Sequence, residues 1–250
     1  MTKSVTKNRK MKKNSKNQIE KTLENNIQYD DTLLKKRVNS AYNIFFKRII
    51  DLFLAILFFL LLLPLFLILS LIIAIDSGFP IFYRAKRGGY KNKSFRIFKF
   101  RSMVKNADKI GGYTTALHDP RITRVGRFLR KTKLDEIPQL LNIIKGEMSF
   151  VGPRPEVLAY TNLFEGQEKF IPLVRPGITD YSSLEFADMD ATVGDGDVDK
   201  YFVENILKKK NALRIKYVAK ISFGTDFVLF FKTVGHVLSH FFKKRKKEKN

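Results

Sequence analysis

The stretch LFLAILFFLLLLPLFLILSLIIAI, residues 52–75, carries no charged side chain and decides where this chain resides. A helix of about 24 residues, rising about 1.5 Å per residue, is long enough to cross a hydrocarbon core of ~30 Å. The stretch begins too far from the N-terminus for an ordinary signal peptide, and DSGFP at 76–80 is typical of a stop and turn. We therefore predict a membrane segment here.

Pro64 lies near the middle of this segment, where its missing N–H and its ring disturb a helix. Both flanks are basic, so a simple span would place one basic cluster on the non-cytoplasmic side, against the positive-inside tendency. These features favour a re-entrant helix-break-helix over residues 45–78 that enters and leaves by the cytoplasmic face. Proline also occurs in ordinary spans, so the residues alone leave a simple span open. The flanks comprise Lys35, Lys36, Arg37, Lys47 and Arg48 before the run, and Arg84, Lys86, Arg87, Lys91, Lys93 and Arg96 after it.

The composition narrows the chemistry around this segment. The chain has 250 residues, enough for one or two domains, and 47 Lys+Arg against 24 Asp+Glu give a net charge of +23. The absence of cysteine excludes disulfides, Cys-ligated metal sites and a catalytic thiol. With three histidines in all, a metal site would have to use carboxylates. The basic excess requires an anionic partner, and nucleic acid, acidic lipid and phosphorylated small molecules are all open.

The two ends of the chain differ from its middle. Residues 1–44 form a basic arm without apolar periodicity, which predicts disorder except for a helix that begins near Asp31. Residues 227–250, FVLFFKTVGHVLSHFFKKRKKEKN, combine an apolar stripe with a polybasic end and predict a segment on anionic membrane lipid. We treat residues 236–250 as the polybasic tail.

Local patterns predict further elements after the membrane segment. FRIFKFRSM at 95–103 alternates apolar and cationic residues and indicates a strand. RITRVGRFLRK at 121–131 places apolar residues at helical spacing among arginines, which is typical of an amphipathic helix on a bilayer. Asp135 can cap a second helix, with Pro138 in its first turn and an end near Gly146.

The carboxylate pair Asp135-Glu136 follows the arginine cluster and has a clear use in phosphate chemistry. Helix amides and Arg130 favour phosphate and keep Asp135 ionised, while Glu136 can hold a divalent cation that neutralises a diphosphate. The structural alternative is that Asp135 caps the helix and Glu136 complements its dipole. Arg154 and Arg175 each lie on a rigid Pro/Gly turn. A turn needs proline and glycine but not an arginine, so two such turns favour the phosphate site.

Four blocks of this sequence resemble the bacterial sugar transferase family, the small monotopic phosphoglycosyl transferases also called undecaprenyl-phosphate sugar phosphotransferases. The resemblance covers roughly residues 45–235, and the block around LDEIPQLLN with GPRPE is highly specific. The blocks are KRIIDLFLA (47–55) with the membrane run, FYRAKRGGYKNKSFRIFKFRSM (82–103), RITRVGRFLRKTKLDEIPQLLNIIKGEMSFVGPRPE (121–156) and RPGIT (175–179).

The resemblance implies an activity and roles for the dyad. It implies transfer of a sugar 1-phosphate from a UDP-sugar to polyprenyl (undecaprenyl) phosphate with release of UMP, as the first step of a lipid-linked glycan. Asp135 is implied to be the nucleophile that forms a covalent phosphosugar intermediate, and Glu136 to hold Mg²⁺. The membrane run is implied to be a re-entrant hairpin broken at Pro64.

By the same resemblance, five cations are expected to hold the diphosphate and the nucleotide. They are Lys99, Arg101, Arg130, Arg154 and Arg175. Arginine suits this task because its planar fork pairs with two oxygens at once. We expect Arg130 and Arg175 to matter most, and for Arg101 a contact with lipid headgroups is equally open.

Some positions depart from the usual family pattern. Leu63 stands where many members have Ser before the proline, and Arg214, three residues before Tyr217-Val218, stands where an acidic residue is usual. Residues 180–212, which include the acidic loop 188–199, differ from a stretch that contains tryptophan and glycine in many members. The identity of the donor sugar is therefore open. The acidic loop lacks the glycine and the closing glutamate of an EF-hand, so we expect a solvated loop rather than a calcium site.

The sequence thus predicts a helix-rich α/β fold with a re-entrant membrane hairpin, amphipathic interfacial helices and a small cytoplasmic catalytic domain at 79–235. The expected location is the bacterial inner membrane, with the catalytic domain on the cytoplasmic face and no nucleic-acid partner; a homodimer is left open. The rival interpretation is a non-catalytic, membrane-tethered basic protein that binds anionic lipid or nucleic acid. It is supported by charge alone, because no nucleic-acid-binding signature is present.

Overall fold

The computed structural model describes residues 28–107, 119–186 and 198–247. The predictions for residues 1–27 and for most of the acidic loop lie outside the described residues. The predicted helix near Asp31 is confirmed as α1, Asp31–Val38, and Asp30 caps it by accepting from the Thr32 amide at 2.9 Å. Leu34 and Val38 are buried in the main core, so the folded part begins before the predicted boundary at residue 45.

The apolar stretch forms one long helix, α2, Lys47–Ser77, which follows a π-helical turn at Tyr42–Phe46. Within the described residues, Tyr42–Ser77 is the helical stretch that is long and apolar enough to cross a membrane. The helical hydrogen-bonding pattern continues through Pro64, and the re-entrant arrangement stays a prediction. The fixed φ of proline is compatible with a helix. Proline lacks the N–H that donates to the carbonyl four residues earlier, so one hydrogen bond is lost while the backbone stays helical.

Both halves of α2 contact the rest of the protein. In the first half Ala55 is buried, and the ring of Phe58 lies 5.8 Å from that of Phe150. In the second half the ring of Phe66 lies 5.0 Å from that of Phe100, and Leu69 is buried with them. The opposite side of the helix is apolar and exposed along its length, as at Phe53, Leu57, Leu60, Leu61, Leu67, Ile68, Leu71 and Ile75.

Four short strands form two separate pairs. The hairpin of β1, Phe82–Arg87, and β2, Phe95–Phe100, is antiparallel and confirms the strand predicted from the alternating pattern. Strands β3, Ser149–Val151, and β4, Gly177–Thr179, pair in parallel. A Cβ on Gly177 would lie 2.1 Å from the Gly152 nitrogen, so the loops that carry Arg154 and Arg175 can approach only because glycine is present.

The segment between the two pairs carries the dyad. The predicted amphipathic helix is confirmed as α3, Arg124–Thr132, with a side-chain cap from Thr123. Lys133 then takes a left-handed conformation (φ 59°), and a 3₁₀ turn follows at Leu134–Glu136 before α4, Gln139–Lys145. Asp135 therefore does not cap α4, which corrects the prediction. The expected end at Gly146 is confirmed, in the left-handed conformation typical of a C-terminal glycine.

The remaining elements are helices and helical turns. The long helices are α8, Lys208–Lys220, and α9, Phe223–Lys247. Leu229 of α9 is buried against the core, whereas Phe223, Phe227 and Phe231 are exposed. The shorter elements are α5 (Leu158–Thr161), a 3₁₀ helix (Gly166–Leu173), α6 (Tyr181–Glu185), α7 (Val198–Phe202) and a π-helical turn (Val203–Leu207). The described part of the chain is thus helix-rich α/β, as predicted.

Candidate active site

Asp135 is a buried carboxylate with an unused hydrogen-bonding atom. Its side chain lies in the 3₁₀ turn, the residue is 6% exposed, and Oδ1 has no hydrogen-bond partner. Burial raises the pKa of the Asp135 carboxyl, while the charges of Lys99 and Arg130 oppose that rise. A buried acceptor without a donor is uncommon in folded proteins, so this atom is available to a ligand or to a reaction.

Glu136, the neighbouring carboxylate, is fully engaged by two cations. Its Oε1 accepts from Lys99 Nζ at 2.8 Å and from Arg154 Nη2, and its Oε2 accepts from Arg154 Nη1 at 3.1 Å. Burial would raise the pKa of Glu136, but the charges and hydrogen bonds of Arg154 and Lys99 hold it well below its usual range. The dyad therefore has two different members, one paired and one unpaired.

Arg154 is held in place by the β4 strand and the residues that follow it. Its Nη1 also donates to the Ile178 carbonyl at 2.9 Å, and its backbone N–H donates to Asp180 Oδ2 at 3.4 Å. Asp180 is fully buried and accepts from the Ser183 amide at 2.7 Å as cap of α6. The sequence interpretation missed Asp180, since a single Asp at a helix start carries no functional signal.

Arg130 lies beside the dyad through the close contact of α3 with the end of β2. Its Nε donates to Ser102 Oγ at 2.9 Å, and its charge opposes the rise in the pKa of Asp135. A Cβ on Gly126 would lie 2.0 Å from the Ser102 carbonyl oxygen, so this approach requires glycine. Ser102 was not among the predicted site residues.

Arg101 joins this region to the end of the membrane helix. Its Nη2 donates to the carbonyls of Ser77 and Gly78, each at 2.5 Å, where α2 ends. Its Nε and Nη1 are buried and have no partner. Arg101 thus satisfies carbonyls that the helix end leaves free, and it keeps two donors for a further acceptor.

Arg175 is placed away from the dyad. Its Nε donates to the Gly146 carbonyl at 3.3 Å, and its guanidinium lies 4.7 Å from the centre of the Tyr90 ring. Arg48 lies at the same helix end and donates to the Ile143 carbonyl at 2.5 Å. Both cations therefore meet the negative end of α4, where the helix dipole and free carbonyls favour positive charge. The structure brings Lys99, Arg130 and Arg154 to the dyad, but not Arg175.

A divalent cation would have to use the dyad carboxylates together with substrate oxygens. Within the described ranges no group of three His, Cys, Asp or Glu side chains is close enough to hold a metal. Mg²⁺ is commonly bound by one or two carboxylates plus substrate phosphates. The unpartnered Oδ1 of Asp135 beside Glu136 fits that arrangement.

Comparison with known proteins identifies the family of this chain. The model of the bacterial sugar transferase family matches residues 42–240, so this chain belongs to that family. It is 32% identical over 233 residues to the UDP-N-acetylgalactosamine-undecaprenyl-phosphate N-acetylgalactosaminephosphotransferase of Aeromonas hydrophila, which covers 90% of this chain and 52% of the relative.

Two further relatives show how much of the longer proteins this chain represents. It is 41% identical over 150 residues to the UDP-glucose:undecaprenyl-phosphate glucose-1-phosphate transferase of Escherichia coli K12, covering 58% of this chain and 32% of the relative. It is 36% identical over 206 residues to the exopolysaccharide production protein ExoY of Sinorhizobium fredii, covering 76% and 84%. The chain therefore spans about half or less of some relatives and most of others.

Proposed function

From this family membership and the state of Asp135, we propose that the protein transfers a sugar 1-phosphate from a UDP-sugar to undecaprenyl phosphate and releases UMP. The observation that carries the proposal is the buried, unpartnered Oδ1 of Asp135 among the charges of Lys99, Arg130 and Arg154. A site of this kind suits a nucleophile that must react with an anionic diphosphate. The names of the relatives indicate UDP-sugars and undecaprenyl phosphate as substrates.

The first step is attack of Asp135 on the phosphorus that bears the sugar. A bond forms between a carboxylate oxygen and that phosphorus, and the bond from phosphorus to the bridging oxygen breaks. The bridging oxygen leaves with the electron pair as part of UMP, so no proton has to move. Arg130, whose Nε is held by Ser102, is close enough to the dyad to stabilise charge on the transferring group.

The second step regenerates the carboxylate. A phosphate oxygen of undecaprenyl phosphate attacks the same phosphorus, the bond to Asp135 breaks, and the product is a lipid diphosphate that carries the sugar. Two displacements with one nucleophile let the donor and the acceptor use the same site in turn. The acceptor has a membrane-embedded tail, so its phosphate must reach Asp135 from the bilayer side.

Arg101 is suited to meet the acceptor phosphate. It lies where α2 ends, its neighbour Ser102 bonds Arg130, and its Nε and Nη1 are buried without a partner. Two free guanidinium donors match the oxygens of a phosphate. We therefore assign Arg101 to the acceptor and Arg154 to the donor side.

Mg²⁺ fits the dyad as a cofactor, and Asp135 and Glu136 would hold it. When bound, it supplies positive charge that neutralises the diphosphate and favours its displacement. Glu136 would then exchange part of its contact with Lys99 or Arg154, because both of its oxygens accept from these cations now.

A re-entrant arrangement of α2 at the cytoplasmic face is supported by its contacts. As a straight helix of 31 residues, α2 would be about 46 Å long, so a simple span would leave its two ends on opposite sides of the bilayer. Yet Lys47 near its start is paired with Asp226, and Ser77 at its end accepts from Arg101. A domain that packs along both halves and binds both ends belongs on one side of the membrane.

Covalent trapping tests the proposed mechanism. When the protein is mixed with a UDP-sugar and Mg²⁺ without acceptor, intact-mass spectrometry should show one added sugar phosphate in wild type and none in Asp135→Asn. Asp119→Asn, which changes a buried aspartate paired with Arg121, is the matched control and should still be modified. Modification of Asp135→Asn to the wild-type extent would overturn the assignment of the nucleophile.

Labelling of introduced cysteines tests the topology. The native chain has no cysteine, so a thiol reagent can react only with the introduced residue. Asn39→Cys and Ser94→Cys place exposed thiols before and after α2. In sealed vesicles with the cytoplasmic face outward, an impermeant maleimide should label both. Protection of one position and labelling of the other would establish a simple span.

A further inference from the structure

A cavity lies beside Arg154, the arginine that holds Glu136. It has a volume of about 160 Å³ and is bounded by the β1–β2 turn, the loop after β3, α5 and the 3₁₀ helix that follows. The residues that matter for its chemistry are Asn92, Arg154, Glu156, Asn162, Pro176 and Arg214. Most of the other walls are proline or large apolar side chains, which is typical of a small-molecule site.

Arg214 and Glu156 form a buried ion pair at this cavity with capacity to spare. Arg214 is 1% exposed, its Nη1 donates to Asn211 Oδ1 at 2.8 Å, and its Nη2 donates to Glu156 Oε1. Its Nε is buried and has no partner. Among the described residues, Glu156 Oε2 also lacks a hydrogen bond. Arg214 and Glu156, which both line the cavity, therefore retain one unused donor and one unused acceptor.

The cavity is connected to the dyad by a single side chain. Arg154 lines it, and the guanidinium of Arg154 holds Glu136. A group in the cavity can thus contact the same arginine that holds Glu136 beside the reacting phosphorus. The sugar of the donor is attached directly to that phosphorus, whereas its base is separated from it by the diphosphate and the ribose.

The walls are rigid, as recognition of a planar ring requires. A Cβ on Gly88 would lie 2.6 Å from Thr161 Cγ2, and the Gly88 amide donates to the Glu156 carbonyl at 2.9 Å. The turn and the loop are therefore fixed against each other. Preformed apolar faces with a few fixed polar groups favour a flat ring with a polar edge over a sugar, which carries hydroxyls on most of its carbons.

We propose that this cavity binds the uracil base of the donor nucleotide, with Arg214 Nε as donor and Glu156 as acceptor to its edge. The proposal rests on the proposed function, because it assigns one part of the UDP-sugar. The uracil edge presents carbonyl acceptors and an N3–H donor, which complement a guanidinium N–H and a carboxylate. Cytosine has no hydrogen on N3, so a carboxylate at that position excludes it.

Binding of UMP to the full-length protein in lipid nanodiscs, measured by calorimetry, tests the location. Asn162 is exposed at the cavity and can be enlarged without disturbing the core. Asn162→Trp should weaken UMP binding about tenfold or more and raise the KM for UDP-sugar, with the KM for polyprenyl phosphate unchanged. Leu163→Trp, at the adjacent exposed position outside the cavity, is the matched control and should bind UMP as wild type does.

A second pair of measurements tests the recognition of the edge. Wild type should bind UMP about tenfold or more tightly than CMP, and Glu156→Gln should narrow that preference, since the amide can donate to N3 of cytosine. Arg214→Lys keeps the charge but loses the Nε donor, and should weaken UMP binding while thermal unfolding verifies that the variant is folded.

Three results would overturn the proposal: unchanged UMP binding in Asn162→Trp, equal binding of UMP and CMP by wild type, or unchanged UMP binding accompanied by altered preference among UDP-sugars. The last would assign the cavity to the sugar. UMP binding that responds to these variants in a protein that transfers nothing to polyprenyl phosphate would support the cavity assignment and refute the proposed function. The two failures are therefore distinguishable.

Discussion

Asp135 and Asp226 are buried to the same degree and differ in how they are satisfied. They are 6% and 7% exposed. Asp226 accepts from Lys47 Nζ, from the Tyr42 hydroxyl at 2.7 Å and from the Tyr217 hydroxyl at 2.8 Å. Asp135 Oδ1 accepts from nothing in the described part of the chain. The difference teaches that burial alone does not mark a reactive carboxylate, whereas an unmet hydrogen bond in a buried place does.

The two aspartates also differ in what they join. Asp226 fixes the first turn of the membrane helix to α8 and α9, because Lys47 and Tyr217 belong to these neighbouring elements. Within the described residues Asp135 Oδ1 accepts no hydrogen bond from another element, and its cationic neighbours Arg130 and Lys99 have partners of their own. We therefore expect substitutions at Asp226 to act on stability and substitutions at Asp135 to act on chemistry.

The largest effect is expected for Asp135→Asn. Loss of the nucleophile should reduce UMP release from a UDP-sugar with polyprenyl phosphate by about 10³-fold or more. The temperature of unfolding in detergent should equal or exceed that of wild type, because a desolvated carboxylate without a partner is removed. A destabilised variant that keeps its activity would reverse the assignment of the two aspartates.

Asp226→Asn should produce the opposite pattern. It leaves the buried charge of Lys47 without its counter-ion, which should lower the free energy of unfolding by about 3–5 kcal/mol. Activity per folded molecule should stay near that of wild type at a temperature where the variant remains folded. Denaturation followed by intrinsic tyrosine fluorescence provides the first quantity, and UMP release provides the second.

The pH dependence of the rate can sharpen the role of the cations around Asp135. Attack requires the ionised carboxylate, and burial raises the pKa of Asp135, so activity should fall as pH falls through that raised pKa. Lys99 opposes the rise, so Lys99→Met should move the acid limb of kcat/KM to higher pH. Lys93→Met, at an exposed position before β2, is the control and should leave the limb in place.

The smallest effect is expected for Tyr42→Phe, which removes one of three donors to Asp226. The salt bridge with Lys47 and the bond from Tyr217 remain, so the free energy of unfolding should fall by about 1 kcal/mol. The acid limb of the rate should not move. A loss as large as that of Asp226→Asn would mean that the hydroxyls, not the ion pair, stabilise this end of the membrane helix.

Local patterns in the sequence were sufficient for the elements whose apolar residues repeat. The long helix over the apolar run was predicted from composition, and the strand at 95–100 and the helix at 124–132 were predicted from periodicity; all three elements are confirmed. The turn around Asp135 was not, because Asp followed by Pro three residues later suits either a cap or a 3₁₀ turn. The left-handed Lys133, which ends α3, settles the choice.

The positions of the arginines also could not be predicted from local sequence patterns. Arg154 and Arg175 stand on similar Pro/Gly loops, and the expectation from the sequence favoured Arg175 over Arg154. The parallel pairing of β3 with β4 sends Arg154 to Glu136 and leaves Arg175 at the end of α4. Arg214 and Glu156 are 58 positions apart, so their pairing could not be read from the sequence either.

The sequence by itself determined the long apolar helix, the helix-rich α/β class, the adjacent carboxylates and the excess of positive charge, because these depend on composition and on short-range periodicity. Tertiary structure alone decided which carboxylate is satisfied and which cation faces it. Hydrogen-bond partners of buried groups come from distant parts of the chain, and only packing brings them within bonding distance. The free oxygen of Asp135 is a property of the fold, although the aspartate is a property of the sequence.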